Sequence, residues 1–158
     1  MSVPSHSKPA DDVDRPVVAS RLLIVATEWD HELRGANYAI VRARQIGQIT
    51  VDVVYAAAPI VAWQVLRFWT RTRAITWQHE KGERVLRAYR DKLGRAGVAP
   101  TCHVCIEDPA KAITKLAFEI DAECVVIPMP PRTELPPFGY WGGLHRIIRQ
   151  SEKPIVLS

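Results

Sequence analysis

Arg21–Thr27 reads RLLIVAT, five apolar residues in an unbroken run between an arginine and a threonine. A run this short, apolar on both sides of the pleat, suits a strand covered on both faces, as in a parallel sheet. Outward from it the same signal recurs. TVDVVYAAA (Thr50–Ala58) reads as a second strand ended by Pro59. VAPTCHVCI (Val98–Ile106), CVVIPM (Cys124–Met129) and the closing PIVLS (Pro154–Ser158) supply three more.

Helical spacing fills the intervals. Asp30 is placed to cap a helix with Glu32 in its first turn, and Leu33, Ala36, Ile40 and Ala43 form one face before Gly47 stops it. Ile60–Gly97 is helical in character throughout, with a break expected near Arg71–Thr76. Its second half carries a stripe of Val85, Tyr89 and Leu93, widened by Leu86, which Gly94 weakens and Gly97 ends. Asp108-Pro109 is a cap followed by proline at the first helical position, and Ile113, Leu116, Ala117 and Ile120 make an i, i+3, i+4, i+7 face. Leu144, Ile147 and Ile148 mark a short helix stopped by Lys153-Pro154. Strands alternating with helices in this way predict an α/β domain with a mostly parallel sheet and right-handed crossovers.

The chain has 158 residues, 47% of them hydrophobic and 24% charged, the composition of a single globular domain. Residues 1–19 hold little to bury and read as a flexible tail, leaving residues 20–158 as the domain; the first residues also lack the apolar core of a secretory signal. No run of eighteen apolar residues is present, so no transmembrane segment is expected. Three cysteines do not make a disulfide framework, which together with the rest places the protein in the cytoplasm. A net charge of +4, scattered along the chain, does not point to nucleic acid.

Cys102-His103-Val104-Cys105 has the look of a metal or redox motif. It falls in a predicted strand, where residues three apart point to opposite faces and two sulfurs cannot meet one ion. No second cluster completes a ligand set, so no metal is expected, and packed cysteines are the favoured reading. His31, His79 and His145 share no spacing with a serine and an acid, and Glu107-Asp108 is explained by capping. Nothing in the residues supports an enzyme.

The most individual stretch is APIVAWQVLRFWTRTRAITW (Ala58–Trp77), with Trp63, Phe68, Trp69 and Trp77 beside Arg67, Arg71 and Arg73 and no acidic residue. Its apolar residues cover more than one helix face. Packing within the protein or its dimer is the favoured use; partner or ligand binding, or a membrane surface, are the others, and three arginines are thin support for nucleic acid.

LLIVAT at Leu22–Thr27, EDPAKAI at Glu107–Ile113, EIDAECVVI at Glu119–Ile127 and RIIRQSEKPIVLS at Arg146–Ser158 stand in the order and spacing of the universal stress protein family, which the chain resembles over about residues 21–158. The resemblance implies the family's HUP, or adenine nucleotide alpha hydrolase-like, fold: five parallel strands in the order 3-2-1-4-5 with helices on both faces. Many members bind ATP through an aspartate after strand one and a loop G-x2-G-x9-G-[S/T] after strand four. Glycines let backbone N–H groups approach phosphates at a helix N-terminus. In this chain Glu28 and Trp29 follow Thr27 at the first position, while Pro128, Pro131 and Trp141 stand at the loop glycines and Gly142 at the hydroxyl. Proline has no N–H to offer, and Pro130, Pro136 and Pro137 stiffen the loop further.

The reading is therefore a universal-stress-type regulatory or stress-response binding protein that does not hydrolyse ATP and needs no cofactor. A nucleotide-binding member with a divergent loop is the alternative, and a ligand- or partner-binding module using the aromatic segment is a third. Thr27, Glu28, Trp29, Arg132, Trp141, Gly142 and Gly143 would line the ligand crevice, with tryptophans filling part of it. Gly142-Gly143 would more simply let the chain turn, or else hold a small anion with Arg132 or Arg146 nearby. The last strand lies at a sheet edge in the implied order. An apolar edge calls for cover, so a homodimer through Ile155, Val156 and Leu157 is expected, as the resemblance also implies.

Overall fold

A computed structural model of the chain describes residues 19–62, 66–130 and 140–158, the side chains of 140 and 141 excepted. The expected tail lies almost wholly outside them. The described elements alternate: β1 (Ser20–Val25), α1 (Arg34–Ile46), β2 (Ile49–Ala56), α2 (Arg71–Arg95), β3 (Thr101–Cys105), α3 (Pro109–Glu119), β4 (Cys124–Ile127), α4 (Tyr140–Gln150) and β5 (Ile155–Leu157). All pairings are parallel and the strand order is β3-β2-β1-β4-β5, as expected.

β1 lies in the middle because its run can be buried on both sides. Leu22 and Ile24 turn to one core with Ala36 and Ala39 of α1 and Leu86, Tyr89 and Leu93 of α2. Leu23 and Val25 turn to the other with Ile113 and Ala117 of α3 and Leu144 and Ile147 of α4. Strand period and strand position thus agree, and a helical layer covers each face. The predicted face of α3 is mostly in place, with Ile113 and Ala117 buried and Leu116 and Ile120 packed at their margin. Ile148, expected on the inner face of α4, is instead exposed. β1, β2 and β4 end two residues before the predicted limits, and β3 and β5 are narrower at both ends.

Two helix starts differ from expectation. Asp30 does accept from the Arg34 backbone N–H at 2.9 Å, but Leu33, with φ 54°, intervenes, and Glu32 stays outside the first turn. The second helix has no break at Arg71–Thr76. That stretch forms its first turns, because the Thr70 side chain accepts from the Arg73 N–H at 3.2 Å and caps the helix there. Ile60–Ala62 lie before it, outside any helix. Gln78, buried within α2, donates to the Ala58 carbonyl at 2.8 Å and accepts from the Ile60 N–H at 3.3 Å, substituting for a strand partner along this stretch.

Candidate functional site

Ala26 to Trp29 leave the end of β1, and Tyr55, Ala56 and Ala57 leave the end of β2; together they enclose a cavity of about 410 Å³. In an open parallel sheet this is the end at which ligands bind, beside the point where strand order reverses. Thr27, Glu28 and Trp29, adjacent in the chain, line this cavity with Tyr55, Ala56 and Ala57. The Thr27 Oγ1 atom is buried and has no hydrogen-bond partner among the described residues. Larger hollows of about 610, 730 and 420 Å³ lie elsewhere, along α3, at the opposite end of β1, and beside the C-terminal ends of α1 and α2.

Glu28 does not stand free in this cavity. The Tyr55 hydroxyl donates to Oε1 at 2.9 Å, and Lys81 Nζ of α2 lies 2.8 Å from Oε2. Burial, and then the Glu28 carboxylate beside it, push the Tyr55 hydroxyl well above its ordinary range, so it remains a donor. α2 comes this close because of Gly82. A Cβ there would stand 2.7 Å from Tyr55 Cδ1 and 3.0 Å from Val104 Cγ1. Below the cavity floor, the Tyr89 hydroxyl donates to buried Asp30 at 2.9 Å. An Arg34 guanidinium N–H donates to the Met129 carbonyl, drawing the end of β4 toward α1.

The remaining crevice residues divide. Arg132 lies outside the described residues. Trp141 lies in the first turn of α4 with its side chain outside them, while Trp29 lines the cavity. Gly142 and Gly143 also sit in the first turn of α4, and a Cβ at either would meet no described atom within 4 Å. Packing therefore does not demand glycine there. Arg146, expected near an anion at these glycines, is held by Asp108 in a bidentate pair of 2.9 and 2.7 Å that ties α4 to the start of α3.

The CHVC stretch occupies β3 as predicted. Cys102 packs into the α1–α2 core and Cys105 into the α3–α4 core, on opposite faces of the strand. Burial, and then Glu107, push the Cys105 thiol upward, and burial does the same to Cys124, so both are poor thiolate sources. No cluster of three or more His, Cys, Asp or Glu suited to a metal is found among the described residues. The histidine of the motif has an unforeseen partner: His103 Nε2 lies 2.8 Å from Oδ1 of fully buried Asp52, whose Oδ2 accepts from Arg21 Nε at 2.9 Å. The sequence offered one signal for this: Asp52 is the lone acid inside an otherwise apolar strand.

Within one protomer the aromatic segment is only partly packed. Phe68 and Val61 are each 78% exposed and Trp77 is 37% exposed, while Trp69 is half-buried and Trp63 lies outside the described residues. Tethering by Gln78 holds only Ala58–Ile60 against the domain.

Neither a family model nor a curated protein matches the chain. Solved structures do. A protein from the universal stress protein family of Burkholderia pseudomallei superposes with a TM-score of 0.67 over 88% of this chain and 95% of its own, at 19% identity. The chain has the universal stress protein fold. Universal stress protein UspA from Lactobacillus plantarum reaches a TM-score of 0.69 at 8% identity, covering 87% of this chain and 96% of its own. A universal stress protein from Archaeoglobus fulgidus, in complex with dAMP, gives 0.58 at 18% identity over 89% of this chain and 98% of that one. At such identities the universal stress fold is shared while side chains are largely not, so the crevice must be judged from its own residues. No helix among the described residues is long and apolar enough to cross a membrane.

Proposed function

We propose that this chain is a universal-stress-type regulatory protein that acts by binding, does not hydrolyse ATP and works in the cytoplasm as a homodimer joined through β5. The observation that carries the loss of ATP is the occupation of Glu28. Its carboxylate, at the position of the family's aspartate, is held by Tyr55 and Lys81, and Trp29 follows where a small residue is usual. The prolines at Pro128, Pro130 and Pro131 remove backbone donors where a triphosphate would need them. Arg146 is engaged by Asp108 rather than directed at the α4 N-terminus.

Calorimetry with ATP at about 1 mM, the regime of very weak binding, should give no saturable heat. Micromolar affinity lost on Glu28→Ala or on changing Gly142 would overturn the reading.

A second reading has one specific observation behind it. The unpartnered Thr27 Oγ1 beside a cavity of about 410 Å³ offers a hydroxyl to a smaller ligand, and two neighbours of the same fold were solved with dAMP and with cAMP. A mononucleotide asks nothing of a triphosphate loop. AMP binding that is lost in Thr27→Val while ATP fails to bind would favour this reading.

A further inference from the structure

The start of α2 carries a ladder of rings and cations spaced by four residues. The Arg73 guanidinium lies 5.4 Å from the Trp69 ring centre, Trp69 and Trp77 meet edge to face at 5.9 Å, and Lys81 Nζ lies 4.9 Å from the Trp77 ring centre. The same arrangement appears once more just before the helix, with Arg67 at 5.8 Å from the Phe68 ring centre. Phe68, at 78% exposure, projects into solvent, and so does Val61 earlier in the segment. Residues 58–79 contain no acid at all, while Arg67, Arg71 and Arg73 are exposed. Large apolar side chains held in water beside cations mark an interaction surface.

We propose that this face, around Phe68, Trp69 and Trp77, docks on an anionic membrane surface. The charge balance selects the partner: Arg67, Arg71 and Arg73 have no acidic partner among the described residues, although Lys81 of the same ladder is paired with Glu28, and an anionic surface complements the three arginines. Two copies of the face would set arginine against arginine, so a second copy is disfavoured. Single-stranded nucleic acid needs a positively charged groove that tracks its backbone, whereas Phe68 protrudes and the next hollow along α2 is lined by Glu80 and Glu83. A partner helix would want a recessed apolar groove, whereas Phe68 protrudes. The headgroup layer of a bilayer takes protruding rings and accommodates cations beside them at the level of the phosphates. The protein would lie on this surface rather than span it, with the sheet and both cores left intact.

The test is co-sedimentation of the full chain with phosphatidylcholine vesicles, with and without about one-third phosphatidylglycerol. The wild type should bind the anionic vesicles about tenfold more tightly than the neutral ones, and binding should weaken as salt is raised. Phe68→Ser should cut binding about tenfold through lost insertion, and the double change Arg67→Glu with Arg71→Glu should abolish the anionic preference. These side chains are exposed, so circular dichroism should show a native fold. Trp77→Ser, on the same face as Trp69, provides an independent apolar test if Phe68→Ser disturbs it.

Equal binding to both vesicles, or no loss in any variant, would overturn the proposal. So would binding of an oligothymidylate with no binding to vesicles, or a dimer that Phe68→Ser alone dissociates while vesicle binding persists.

Discussion

The Tyr89 hydroxyl donates to Asp30 Oδ2 at 2.9 Å, joining the middle of α2 to the turn that launches α1, with both residues buried. The same carboxylate oxygen accepts from the Arg34 N–H, so one acid serves a helix start and a helix-to-helix tie. Removing the hydroxyl leaves a buried carboxylate one donor short, which costs about 1.5–3 kcal/mol for a bond to a charged group. Tyr89→Phe should lower the melting temperature by several degrees while leaving the fold intact.

The alkaline limit follows from the same residue. Burial, and then Asp30 beside it, raise the Tyr89 hydroxyl above its ordinary value of 10.0, and Tyr55 is raised likewise by burial and Glu28. A raised folded-state value adds stability that is fully present below the unfolded value and is lost as pH climbs toward the folded one. Denaturant midpoints should hold up to about pH 10 and fall above it, and Tyr89→Phe should flatten that fall. An unchanged slope in the variant would show that other groups control it.

At the acid end, the Arg146 guanidinium beside Asp108 holds its carboxyl below the ordinary 3.8, and Lys153 does the same to Asp121. Depressed values contribute stability above the unfolded value that fades as pH falls below it through the folded one. Arg146→Met should therefore make little difference below about pH 3 and be felt at neutral pH, read as a smaller gap in melting temperature between the two.

Asp52 is fully buried between Arg21 and His103 on the sheet face shared with α3. Taking away one partner of a buried charge costs more than taking away the charge. Arg21→Met should destabilise by about 2–4 kcal/mol, and adding Asp52→Asn to it should recover a large part. Urea unfolding of the two singles and the double would reveal the coupling; simple additivity would mean the charge is not what Arg21 serves.

Gly82 tests the contact that brings α2 onto the end of β2. Alanine gains about 1 kcal/mol of helix propensity. Its Cβ would press on the Tyr55 ring at 2.7 Å, and that ring is held by its bond to Glu28. Overpacking of this kind costs about 1–3 kcal/mol, so Gly82→Ala should lower the melting temperature despite the better helix former. A rise would show that the Tyr55 ring yields.

Ile155, Val156 and Leu157 occupy β5, the outermost strand beside β4, with Leu157 47% exposed. An open apolar edge of this kind offers its free backbone groups for pairing with a second copy, as the proposed homodimer requires. Sedimentation at micromolar concentration is expected to give a dimer that Val156→Asp weakens. A wild-type monomer would end the β5 interface.

The alternation of strands and helices was legible because each signal is local. Leu22–Val25 are apolar on both sides of a pleat, Asp108-Pro109 is a helix start in two residues, and strand period alone sends Cys102 and Cys105 to opposite faces. The strand order came from the resemblance, since local period cannot order strands. What only the tertiary structure decided are meetings between residues distant in the chain. Glu28 with Tyr55 and Lys81, and Asp52 with Arg21 and His103, depend on register and on how closely α2 approaches the sheet, and no spacing encodes either. How much of the aromatic segment packs within one protomer was hidden for the same reason. Whether Phe68 is core or surface turns on whether a neighbour reaches it, and here α2 begins at Arg71 and turns the sheet-facing side to Ala74, Gln78 and Gly82 instead.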